Sequence, residues 1–122
     1  MVTSVTSFGR SGLSDWLLQR FTAVILLAYT LCVAGFVATH AGLEYAGWSA
    51  YFASRPMKVF STMALLSLVA HAWIGLWSVS TDYLTVRMLG PRADVLRILF
   101  QGAYALLLFA YLVWGIEIFW GI

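Results

Sequence analysis

The chain has 122 residues, of which 62% are hydrophobic and only 10% charged, with a mean hydropathy of +0.89. Soluble domains average about 25% charged residues, so these few charges cannot cover a soluble surface, and lipid must solvate most of the chain. A net charge of +2 is too small for a nucleic-acid binder, and a single cysteine, Cys32, excludes an internal disulfide framework and a cysteine metal cluster.

Residues 1–14 are rich in Ser, Thr and Gly and predict irregular chain. The apolar stretch that follows is too long for a signal peptide, and no small-residue cleavage pattern comes after it. The first segment is therefore expected to stay in a bacterial membrane. Charge-free stretches then organise the sequence. They cover residues 21–43, 59–81 and 98–116, which are 23, 23 and 19 residues long. A helix needs ~20 apolar residues to cross ~30 Å of hydrocarbon. Inside lipid the backbone must satisfy its own hydrogen bonds, so each stretch predicts a helix.

The first helix is expected near Asp15 to Thr39, with Ser14 as N-cap and Asp15 at the positive end of the helix dipole. The following connection, residues 40–56, carries Tyr45, Trp48, Tyr51 and Phe52, rings suited to the membrane–water boundary. His40 at its start reads as interfacial. The second helix is expected near Met57 to Tyr83, with Pro56 placed for a first turn. The third is expected near Ala93 to Phe119, after the breaker Gly90-Pro91. The fold class is thus an all-α membrane protein, one domain over residues 1–122 with three transmembrane helices running up-down-up. Arg10, Arg20, Arg87, Arg92 and Arg97 fall on one side, against Arg55 and Lys58 on the other. Positive charge is retained inside, which predicts a cytoplasmic N-terminus.

His71 is one place past the midpoint of the uncharged run 59–81. An ionisable side chain at that depth is costly and marks function by default, and neutral imidazole is the usual haem and metal ligand. Steps of three and four from it give Ala64, Ser67, Gly75, Ser78 and Asp82, a small or polar stripe. Either a neighbouring helix or a flat macrocycle would fit against that stripe, and an inter-helix hydrogen bond from His71 stays open as the plainer role. A bound haem would not be c-type, because one cysteine cannot supply C-x-x-C-H. The other histidine, His40, lies too far along the first helix to reach the same iron, so a second axial ligand belongs to another chain.

Asp82 and Tyr83 end the second helix on the arginine-rich side, where the first helix carries Arg20. A carboxylate, a phenol and a guanidinium at a membrane face suit a quinone, whose ring partitions into lipid while its carbonyl oxygens need donors. Tyr83 donates a hydrogen bond and is neutral near pH 7. Arg20 is a permanent cation able to hold a haem propionate or a reduced quinone. The plainer roles are an aromatic belt for Tyr83, a topology signal for Arg20 and a solvated helix end for Asp82.

The run from His71 to Tyr83, with Gly75, Trp77 and Asp82 between, resembles the second helix of the succinate dehydrogenase hydrophobic membrane anchor subunit family. Gly9 to Arg20 and Tyr45 to Phe60 are similar to that family's N-terminus and first connection. The likeness covers residues 8–84 and continues more weakly through the third helix. It implies that His71 is an axial ligand of haem b, with the other ligand from the larger anchor, the cytochrome b subunit. It implies that Tyr83 hydrogen-bonds ubiquinone with Asp82 beside it, and that Arg20 lies near the haem propionates. An iron–sulfur subunit and a flavoprotein subunit would dock on the cytoplasmic face of the bacterial inner membrane. The flavoprotein oxidises succinate, and the electrons pass towards ubiquinone. The second loop, residues 87–97, departs from the pattern by being more basic and more broken, and no functional residue is carried past Tyr83.

The chain has no dinucleotide fingerprint, soluble domain or cysteine cluster, so it is not expected to catalyse succinate oxidation alone. The rival readings are a fumarate reductase anchor, a structural anchor without redox groups, and a small transporter with His71 and Asp82 on a proton path.

Overall fold

A computed structural model describes residues 12–121. Among them, three helices are long and apolar enough to cross a membrane: Leu13–Thr39, Arg55–Tyr83 and Val86–Trp120. In chain order the elements are α1 (Gly12–Thr39), α2 (Tyr45–Ala53), α3 (Arg55–Tyr83), α4 (Val86–Leu89), a 3-10 turn (Gly90–Arg92) and α5 (Ala93–Trp120). No strand occurs among the described residues.

α1 starts three residues before Asp15, so Ser14, expected as its N-cap, lies inside the first turn. α3 starts at Arg55 and places Pro56 in its first turn, where the missing N–H has no partner to lose. The first connection is not loop throughout. Its rings fold into α2, which packs on α3 and α5. Tyr51 stacks on Phe36 of α1 at 3.8 Å, and Phe52 lies 6.4 Å from Phe119 of α5. The second connection breaks at Gly90, whose φ of 73° and ψ of −152° belong to a region open in practice only to glycine.

α3 is the middle helix, packed against both α1 and α5, and it carries most of the buried residues. The outer faces of α1 and α5 expose large apolar side chains such as Phe21, Leu31, Leu106 and Phe109. Such faces suit lipid or another apolar subunit, not water.

Small side chains and hydroxyls hold the three helices together, as expected where lipid offers no hydrophobic drive between helices. Tyr29 Oη and Ser61 Oγ share a hydrogen bond of 2.7 Å across α1 and α3. On the other side, Gln101 Nε2 donates to Ser80 Oγ at 3.0 Å, and Trp120 Nε1 donates to Thr62 Oγ1 at 2.7 Å. Each such bond is worth ~0.6–2 kcal/mol in a bilayer. Gly115 allows α5 its close approach: a Cβ there would stand 2.7 Å from Leu65 Cδ2 and 2.9 Å from Cδ1. Gly115→Val is therefore expected to cost about 1–3 kcal/mol through overpacking. The check is the thermal midpoint of the purified protein in detergent, which should fall. An unchanged midpoint would contradict this α3–α5 contact.

Candidate functional site along the α1–α3 seam

Three contacts fix the antiparallel register of α1 on α3. Tyr29 meets Ser61, Thr22 meets His71, and the Gln19 side chain lies over Gly75, 3.7 Å from where a Cβ would be. The small stripe of α3 thus receives α1. Of the two occupants that the sequence left open for it, a helix fills the space at Gly75. Beyond Gly75 the stripe leaves this cover, and Ser78 and Asp82 are exposed.

His71 is half-buried against α1. Its Nδ1 lies 3.1 Å from Thr22 Oγ1, and Thr22 is only 3% exposed. The Thr22 hydroxyl donates to the Leu18 carbonyl at 2.7 Å, with the Gln19 carbonyl at 3.2 Å as second neighbour. Among the described residues nothing hydrogen-bonds His71 Nε2. No three His, Cys, Asp or Glu residues cluster to hold a metal ion among them. The chain offers one imidazole, bonded to Thr22 at one ring nitrogen and without a partner at the other among the described residues, a donor that fits a haem and would leave any second ligand to another chain.

His40 is far from this point. It lies 18 residues beyond Thr22, ~27 Å along the axis at 1.5 Å per residue. There it stacks on Phe36 at 4.1 Å and its Nδ1 donates to the Phe36 carbonyl at 2.8 Å. These are the contacts of an exposed interfacial ring.

The structure does not bring Arg20, Asp82 and Tyr83 together. α1 continues two turns past Arg20 to Gly12, so Arg20 stands ~3 Å along the axis from the level of Thr22 and His71. Tyr83 stands twelve residues past His71, ~18 Å away along α3. Arg20 also leaves α1 about 200° round from Thr22, on the side away from α3. Its guanidinium lies over the Trp16 ring at 5.5 Å and pairs with no carboxylate among the described residues. A cation at this depth calls for a partner. Asp82 is exposed and Tyr83 is 61% exposed, so the phenol is open to a ligand or a neighbouring subunit. Arg97 secures the backbone just after it: Nη1 donates to the Leu84 carbonyl at 3.0 Å while Nη2 pairs with Asp94.

Sequence reasoning missed the α1 half of the seam. Asp15, Gln19 and Thr22 recur at steps of four and three, a polar stripe in a largely apolar helix, and that periodicity was the available signal. Asp15 Oδ1 and Gln19 Oε1 are buried acceptors without a hydrogen-bond partner among the described residues. A cavity of about 420 Å³ lies at the opposite end of the bundle, lined by Trp48, Phe52, Lys58, Phe119 and Trp120 among others. None of His71, Asp82 and Tyr83 touches it.

A helical membrane subunit with a lone central imidazole and an open second side is the class of protein that these features define. Residues 4–113 match the family described as succinate dehydrogenase/fumarate reductase transmembrane subunit, and the chain belongs to that family. It is similar to the succinate dehydrogenase hydrophobic membrane anchor subunit of Coxiella burnetii (strain RSA 493 / Nine Mile phase I). The two are 35% identical over 111 residues, covering 91% of this chain and 90% of the relative.

Proposed function

We propose that the chain is the smaller membrane anchor of a succinate:ubiquinone oxidoreductase, respiratory complex II. In this reading residues 1–122 form one transmembrane domain in a bacterial inner membrane, with the N-terminus cytoplasmic. It pairs with a cytochrome b large anchor subunit, and the iron–sulfur and flavoprotein subunits dock at the cytoplasmic face. The observation that carries the reading is His71: an imidazole at mid-span whose Nδ1 is hydrogen-bonded to a buried threonine and whose Nε2 has no partner among the described residues.

His71 would hold haem b through Nε2, with the opposite ligand from the large anchor. A haem bound there supplies a one-electron carrier inside the membrane. Arg20 is exposed on the face of α1 turned away from α3, without a carboxylate partner among the described residues, and would have to reach round α1 to meet the propionates, where a guanidinium matches two carboxylate oxygens at once. Tyr83 would donate its phenol proton in a hydrogen bond to a ubiquinone carbonyl oxygen. Asp82 beside it is solvent-accessible and would orient partners or pass protons from water.

The test is to tag the chain in its native host, purify what accompanies it and record the reduced-minus-oxidised visible spectrum. A b-type α-band with three larger partners is the expected result. A flat spectrum from a chain that purifies alone would remove the haem and promote the transporter reading.

A further inference from the structure

We propose that Thr22 sets the tautomer and the orientation of the His71 imidazole, keeping the proton on Nδ1 and the lone pair on Nε2. The inference rests on reading His71 as the haem ligand. A hydroxyl has one proton to give. Thr22 gives it to the Leu18 carbonyl at 2.7 Å, its shortest contact. The oxygen can then only accept from Nδ1, 3.1 Å away. A neutral imidazole carries one N–H, so Nε2 is left bare, as an iron ligand must be.

The opposite assignment fails on two counts. Thr22 would have to abandon the 2.7 Å bond in order to donate to Nδ1. The imidazole proton would then sit on Nε2, which has no acceptor among the described residues, and an N–H without an acceptor is costly inside a membrane. The orientation follows from the same contact. Thr22 is β-branched, 3% exposed and held within a helix, so its oxygen is a fixed point for the ring to lean on. Donation from Nδ1 also makes Nε2 more basic, which favours the ferric over the ferrous state. Thr22 is thus a positioning residue: it acts through His71 and does not touch the iron.

The experiment is Thr22→Val in the whole purified complex, since valine keeps the branch and removes the oxygen. The haem midpoint potential should rise and the low-spin ferric resonance signals should shift. Haem should also be lost on dilution, with an affinity about 10- to 100-fold weaker, as for other partners of metal-bound histidines. Thr22→Ser should restore all three. A Thr22→Val complex with wild-type potential, signals and haem retention would overturn the inference. Should the valine complex fail to assemble, Thr22→Ser and Thr22→Ala decide: different potentials support the role, equal ones overturn it. His71→Ala separates the two levels of the argument. Loss of the native haem signals there, with Thr22→Val unchanged, removes Thr22 alone. Native signals in His71→Ala remove the ligand reading and the inference together.

Discussion

Tyr83→Phe should lower quinone reduction by about 10- to 100-fold while succinate oxidation by artificial dyes continues. The substitution deletes one donor and keeps the ring, so packing at the end of α3 is preserved. A hydrogen bond to an oxygen that gains negative charge is worth about 1.5–3 kcal/mol, and each 1.36 kcal/mol is tenfold in rate. The exposed position of Tyr83 means that its loss leaves no buried hole, so a fall in quinone turnover reports the phenol itself. Dye-coupled succinate oxidation is the internal control, because in the proposed reading a dye would take electrons before they reach this chain. Near-normal quinone turnover in the variant would sink the assignment of Tyr83 to the quinone site.

The second large effect is expected from His71→Ala. It should abolish or alter the haem α-band in the purified complex, because this chain's other imidazole cannot take over. The alternative ring, His40, is ~27 Å away along α1 and is held by Phe36. Dye-coupled succinate oxidation should persist wherever the soluble partners still co-purify with the anchor. A wild-type haem spectrum from this variant would show that His71 is not the ligand, leaving it the plainer role of an inter-helix hydrogen bond to Thr22.

Much of the fold can be read from the sequence because a bilayer imposes so blunt a rule. The charge-free stretches at 21–43, 59–81 and 98–116 predict helices; α3 and α5 contain the last two whole, and α1 covers the first as far as Thr39, leaving residues 40–43 to the connection. His71 drew notice because its depth is expensive. α2 is less legible, because Tyr45, Trp48 and Phe52 fit an aromatic belt by composition alone, although their spacing of three and four is helical. The α1 half of the seam was hidden for another reason. Which residue of α1 faces His71 depends on the register between helices, and neither helix carries that information alone. The same register explains Arg20. By charge it looked like the cytoplasmic end of its helix. In the fold it is two turns inside, near the level of His71 and far from Tyr83.

That separation between His71 and Tyr83 also has an electrical meaning. His71 lies one residue past the middle of its span on the Tyr83 side, so a unit charge moved from the end of α3 to its level crosses a little under half of the ~30 Å hydrocarbon thickness. Full transit against 100 mV costs ~2.3 kcal/mol, so this partial transit costs or returns about 1 kcal/mol. Charge that stays near Tyr83 is almost indifferent to the membrane voltage, whereas charge that visits His71 is biased by it about fivefold per 100 mV.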